Sequence, residues 1–317
     1  MRPAFLLLLP GLLLATTLRA APAQDITIQD TAVFPESMDI DPAGRLYVGS
    51  MKGVIYRALP GSAQATAWIR PDERNRLLWV LGIVADAPAR TLWACTSPAL
   101  FLDPPKTGEA ALVAFDLESG ALRARYPLPG EKAVCNDIAI VPAGQRGAGT
   151  AFLTDTGTGA IYALAPGAQA PASFAQDKAL VGVDGIAFGG DGALYVNNVR
   201  DNTMLRVDRG PDGAFAGLTR LALSRAVSGP DGLRPLGGNR FLQAEGPGGR
   251  VAEVTIAGDT AQLRDIETSI AGSPAVTHAH GIMYTFSGKI DYLFNPALKG
   301  KDPGAFVIRA IPLGGGQ

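Results

Sequence analysis

Apolar residues along the chain come in short runs rich in Val, Ile, Leu and Tyr, broken by Gly, Asp and Pro, and no long stretch keeps a helical 3.6-residue period. Laid under one another, six segments agree: "ESMDIDPAGRLYVGS" from Glu36, "LGIVADAPARTLWACTS" from Leu81, "NDIAIVPAG…GTAFLTDT" from Asn136, "DGIAFGGDGALYVNN" from Asp184, "DGLRPLGGNRFLQAE" from Asp231 and "SPAVTHAHGIMYTFS" from Ser273. Each reads as a strand, a tight turn and a second strand. Several lead into a third strand of similar form, "GVIYRAL", "ALVAFDL", "GAIYALA", "TMLRVDR" and "GRVAEVT". The unit recurs about every 40 to 55 residues, the spacing of four-stranded propeller blades. The pattern predicts an all-β chain, a six-bladed β-propeller, with residues 24–317 as a single domain. Either "DITIQDTAVF" or "AFVIRAIPL" is expected to supply the outer strand that closes the ring and hides its sheet edges.

In a propeller the first strand of each unit runs along the central channel, so the residues that begin these strands point at a common axis. That column reads Glu36, Leu81, Asn136, Asp184, Asp231 and Ser273. A single Asp or Asn before Gly is an ordinary turn residue. Four acids and amides aimed at one axis are another matter, because three carboxylates held close without a cation repel one another and drive some to protonate. An all-oxygen set, free of Cys and His, suits Ca2+ best, then Mg2+ or Mn2+, and a structural zinc least. Glu36, Asn136, Asp184 and Asp231 are the expected metal ligands.

The ends and the composition narrow the setting. Arg2, an apolar run from Ala4 to Leu14 and the small-residue pattern Ala21-Pro22-Ala23 predict a secretory signal peptide over residues 1–23, hence a periplasmic or secreted protein. No later stretch approaches the ~20 apolar residues of a membrane span. Loss of Arg2 and Arg19 takes the formal charge from −1 to −3, which offers nucleic acid no electrostatic footprint. The two cysteines, Cys95 and Cys135, fit no metal-binding spacing; they read as buried thiols on strands or as a disulfide between neighbouring sheets.

The motifs "FPESM" with Glu36, "CNDIAI" with Asn136, "VDGIAF" with Asp184 and "GPDGL" with Asp231 resemble, in order and spacing, the senescence marker protein, gluconolactonase and regucalcin-like six-bladed propellers. The likeness to the paraoxonases is more distant. The resemblance implies metal ligation by Glu36 and Asp231, a substrate or metal contact at Asn136, and Asp231 as the catalytic general base of a metal-dependent hydrolase opening a lactone or related ester. Asp184 stands where these relatives usually carry asparagine. Loops after the second strands are expected to wall a small-molecule pocket, with Asn198 and Arg200 the preferred substrate contacts. "THAHG" invites a histidine mechanism, but His278 and His280 align with Asp41 and Ala43 at the turn on the far face. No GxSxG elbow occurs. The same pattern fits a non-catalytic propeller that binds a ligand or protein partner around a structural metal. An interaction module of the NHL-repeat kind without metal would not need the polar column.

Overall fold

Each of the six repeats folds as two antiparallel strands, joined by a short turn in five and by a longer loop, Val141 to Thr150, in the third. The inner strands are Pro35–Ile40, Trp79–Asp86, Cys135–Ile140, Val183–Phe188, Pro230–Gly237 and Val276–Ala279. The computed structural model describes residues 23–99 and 105–314, so the expected signal peptide lies, but for Ala23, outside the described residues. The strands form four separate sheets of four or five and one sheet of eight. Neighbouring inner strands touch in a closed cycle, the Val276–Ala279 strand meeting Pro35–Ile40, and the result is a β-propeller around an axial channel.

Both terminal segments close the ring. Val307–Pro312 is the third strand of the last unit, and Ile26–Ile28 pairs antiparallel with it, Ile26 opposite Ile308. The same N-terminal strand pairs in parallel with Gln64–Ile69 of the first unit, Thr27 opposite Gln64, which welds the two units into the eight-stranded sheet. Backbone pairing across this seam satisfies the edges that an open array would leave bare. Burial falls outward: Leu46–Ser50 is buried throughout, whereas the outer strands Leu122–Pro127 and Phe215–Arg220 are half-exposed and carry Arg123, Arg125 and Arg220. Among the described residues no helix is long and apolar enough to cross a membrane.

Cys95 and Cys135 are disulfide-bonded, with Cα atoms 5.1 Å apart and both residues fully buried. Of the two expectations it is the inter-sheet bridge that the structure contains. Cys135 opens the inner strand of one sheet beside the second strand, Thr91–Ser97, of the sheet before it. That spacing lies within disulfide reach.

Candidate metal centre

Where the inner strands begin, their ladders break register: between Pro35 and Ser37, Val80 and Gly82, Cys135 and Ile138, Val183 and Ile186, and Pro230 and Leu233. A bulge of this kind re-aims the side chain at its centre. Glycines let the strands close around it. A Cβ on Gly82 would lie 2.1 Å from the Asn136 carbonyl oxygen, and one on Gly185 would lie 2.2 Å from that of Asp231. The repeat therefore brings Glu36, Asn136, Asp184 and Asp231 within interaction range of one another, while Leu81 packs in a hydrophobic core cluster.

Glu36, Asn136 and Asp184 are buried, and Asp231 is partly exposed. Asn136 Nδ2 donates to Asp184 Oδ2 and to Thr156 Oγ1, each at 2.8 Å. Asp184 and Asp231 lie close enough for each to shift the other's titration, as neighbouring buried carboxyl groups do. Burial, reinforced by the field of Asp137, pushes the Asp184 carboxyl up to about 7. Burial also raises Asp231, with Asp184 and Glu36 adding to it. Glu36 is raised by burial, then by Asp184 and Asp137, against an opposing pull from Arg234. This is the self-repulsion expected of gathered carboxylates without a cation. Ser273 takes no part: its hydroxyl is paired with Thr285 Oγ1 at 2.7 Å.

Two buried acceptors here have no hydrogen-bond partner, Glu36 Oε2 and Asn197 Oδ1. Asn197 leans on the start of the next inner strand, its Nδ2 donating to the Asp231 carbonyl at 2.9 Å. Orphaned buried oxygens call for an explanation, and an all-oxygen set of this composition fits a hard divalent cation. Among the described residues no three acidic, histidine or cysteine side chains already stand together as a metal cage. Asn136 is bonded to Asp184, and Glu36 and Asp231 lie within its electrostatic reach.

The loop residues fall out differently. Asn198 is fully buried, and its side chain is spent on its own surroundings, donating to the carbonyls of Ala179 and Val181 and accepting from the N–H groups of Arg200 and Asp201. The expected substrate contact is thus a loop clamp, because every hydrogen bond its amide can offer is already made. Arg200 is exposed, with no side-chain partner among the described residues. His280 sits in the far turn at φ 51°. His278 lies within the last inner strand, its Nε2 2.9 Å from the Pro235 carbonyl.

Below the acids lies a layer that sequence reasoning missed. The bulge makes the next channel-facing position three residues on rather than two: Asp39 after Glu36, Arg234 after Asp231. Arg234 crosses to Asp137 in a bidentate pair, Nη1 to Oδ2 at 2.8 Å and Nη2 to Oδ1 at 3.0 Å. Arg234 also donates to the Ile83 carbonyl at 3.4 Å, and Asp137 accepts the Ile186 N–H at 3.1 Å. Asp39 accepts from the Ala85 N–H at 2.8 Å and from Thr277 Oγ1 at 3.2 Å. These bonds join all the inner strands at a polar waist that bars the channel midway.

The chain matches a family model described as strictosidine synthase-like, N-terminal, over residues 21–58, a segment that includes Glu36. No curated protein matches it. Among solved structures it is similar to a luciferin-regenerating enzyme, with a TM-score of 0.64 at 14% identity over 92% of this chain and 96% of that one. It is similar to virginiamycin B lyase from Staphylococcus aureus, with a TM-score of 0.55 at 12% identity over 83% and 94%. It is also similar to the PQQ-bound aldose sugar dehydrogenase from Streptomyces coelicolor, with a TM-score of 0.54 at 16% identity over 92% and 100%. At these identities the likeness carries the propeller fold alone.

Proposed function

We propose that this propeller is an exported, divalent-cation-dependent hydrolase that opens a lactone or related ester at the near end of its channel. The observation that carries the reading is the orphaned Glu36 Oε2, buried within the field of Asp184 and close to Asp231. Similar propellers bearing the names of enzymes support a catalytic use of the fold.

Glu36, Asp184 and Asp231, with the Asn136 and Asn197 amide oxygens, would hold the cation, Ca2+ by preference. When bound, such an ion supplies Lewis-acid polarisation of a carbonyl and charge stabilisation for the oxyanion. Asp231 is the most accessible of the three acids and takes the proton of the attacking water, a role suited to a carboxylate whose basicity is raised by burial and like charge. Asn136, anchored by Thr156, orients Asp184 or the substrate. The waist formed by Arg234, Asp137 and Asp39 keeps bulk water from reaching the acids from below.

The test is hydrolysis of a panel of aliphatic and sugar lactones and aryl esters by the purified mature chain, with Ca2+ and with chelator. Turnover that vanishes on chelation, returns with Ca2+ and falls at least 100-fold in Asp231→Asn supports the reading. Turnover indifferent to both refutes it. A cation that raises thermal stability while no ester or lactone is opened would make this a binding propeller with a structural ion.

A further inference from the structure

Beyond the waist the channel opens into a cavity of about 430 Å3, within the range of small-molecule sites. Its walls are apolar, built by Val84, Ile138, Ile140, Ile186, Phe188 and Leu233 from the inner strands. Charge enters at the floor, from Arg234 and Asp39, while His278 has its Nε2 against the Pro235 carbonyl at 2.9 Å.

That floor is not neutral. Arg234 is held by Asp137 in a bidentate pair and has Asp39 beside it, so one guanidinium stands against two carboxylates and one negative charge is left over. The charge in excess belongs to Asp39. Asp137 is only 5% exposed and spent on its pair, whereas Asp39 lines the cavity and is partly exposed. Among the described residues Arg234 is the one cation whose field reaches Asp39, and both of its Nη atoms are engaged elsewhere. An ionised carboxylate offers about four acceptor positions. Asp39 fills three: Oδ1 accepts from the Ile40 N–H at 2.9 Å and from Thr277 Oγ1 at 3.2 Å, and Oδ2 accepts from the Ala85 N–H at 2.8 Å. The position still open is on Oδ2. Burial raises this carboxyl above its ordinary value despite the pull of Arg234, as it does for a charge short of compensation. The adjoining cleft of about 810 Å3 differs, because its Arg146, Arg206 and Arg209 are balanced by Asp191, Asp208 and Asp212.

We propose that the far cavity is a second ligand site, one that takes an organic monocation: a primary ammonium on a compact apolar body, with Asp39 as its counter-ion and the aliphatic wall around the body. An anion would meet an unmatched carboxylate there, and a neutral molecule would leave the excess charge uncompensated. The waist separates this site from the acidic centre, and the proposal does not rest on hydrolysis.

The probe is 1-adamantylammonium, titrated into the full mature protein labelled at the isoleucine methyls, with 1-adamantanol and adamantane-1-carboxylate as neutral and anionic counterparts of the same shape. Saturable shifts confined to Ile138, Ile140 and Ile186 and lost in Ile140→Trp are the expected result. The ammonium should bind at least tenfold more tightly than the alcohol, the margin of one hydrogen bond to a charged group, and the carboxylate more weakly still. Asp39→Asn, which keeps an acceptor for the Ala85 N–H, should bring the ammonium and the alcohol within threefold of each other. Should that variant fail to fold, the order of the three ligands on the wild type and its loss in Ile140→Trp decide the matter. Alcohol or carboxylate binding as tightly as the ammonium, a preference that survives Asp39→Asn, or shifts that fail to saturate, spread over the other isoleucines or persist in Ile140→Trp overturn the proposal.

Discussion

Replacing Arg234 by methionine removes one partner of a buried pair and leaves the Asp137 carboxylate, itself 5% exposed, without its guanidinium. Leaving a buried charge uncompensated costs about 3–5 kcal/mol, more than the pair contributes over an apolar replacement of similar shape. For a domain of this size that is a fall in Tm of roughly 6–15 °C. The second substitution is the diagnostic one. Asp137→Asn keeps an acceptor for the Ile186 N–H while removing the stranded charge, so Arg234→Met/Asp137→Asn should recover at least half of the loss, a coupling well above 1 kcal/mol.

The single variant should also show a characteristic pH slope. Asp39 is raised by burial and held down by Arg234; without the arginine it rises further. A carboxyl whose folded pKa lies above its unfolded one makes the folded state bind the extra proton, so stability is lost as pH rises through the interval between the two values. Arg234→Met should therefore be closest to wild type near pH 5 and furthest from it near pH 8. Urea denaturation at both pH values with all four members of the cycle measures this. A single variant within 1 kcal/mol of wild type, or a double variant no more stable than the single, would refute the view that the waist is a mutually dependent charge pair.

Asp184 gives the cation-free protein its own pH dependence. Its carboxyl, at about 7 in the fold and ~3.9 when unfolded, makes the chelated protein lose stability as pH climbs from 4 to 7, and Ca2+ should flatten that slope by replacing the proton; a chelated Tm higher at pH 8 than at pH 5.5 would contradict it. Gly185→Ala should weaken Ca2+ binding at least tenfold by calorimetry, because the new methyl needs the space of the Asp231 carbonyl. Cys95→Ala/Cys135→Ala opens a 40-residue crosslinked loop and should lower stability by about 2–4 kcal/mol in urea, with turnover retained. Asn198→Ala, which discards four hydrogen bonds inside its loop, should destabilise by about 2–4 kcal/mol, whereas Asn197→Ala should reduce Ca2+ affinity more than stability.

The propeller was legible because each unit repeats the same alternation and punctuation, and the column from Glu36 to Asp231 was legible because it opens every unit at the same place. Legibility ended at the bulge. Strict two-residue alternation from Asp231 points to Leu233, which is fully buried in a core cluster, and not to Arg234. Likewise it points from Glu36 to Met38, also fully buried, and passes over Asp39. Both charged residues stood inside the aligned segments, yet a register break that no residue type announces decided which way they faced. Asn198 misled for a related reason: its neighbour Asn197 shares its chemistry, and only the path of the loop makes one a clamp and the other an orphaned acceptor.

That shared bulge also explains why one channel can hold two unlike environments. Before it, the strand starts bring acids and amides to the axis. One step past it, Arg234 and Asp39 span the bore, and the remaining positions of that tier are Val84, Ala139 and Ala187. The acids are buried, and burial, with their mutual repulsion and the field of Asp137, keeps three carboxylates basic enough to seek a cation against the pull of Arg234 on Glu36 and Asp184. The same waist, seen from the other side, lines a largely apolar cavity. A change at the waist must then be felt by the acids. Arg234→Lys offers the direct check: lysine keeps the charge but cannot make the bidentate pair with Asp137, so it should weaken Ca2+ binding by calorimetry. Ca2+ affinity equal to that of the wild type would mean that the acids do not depend on this waist.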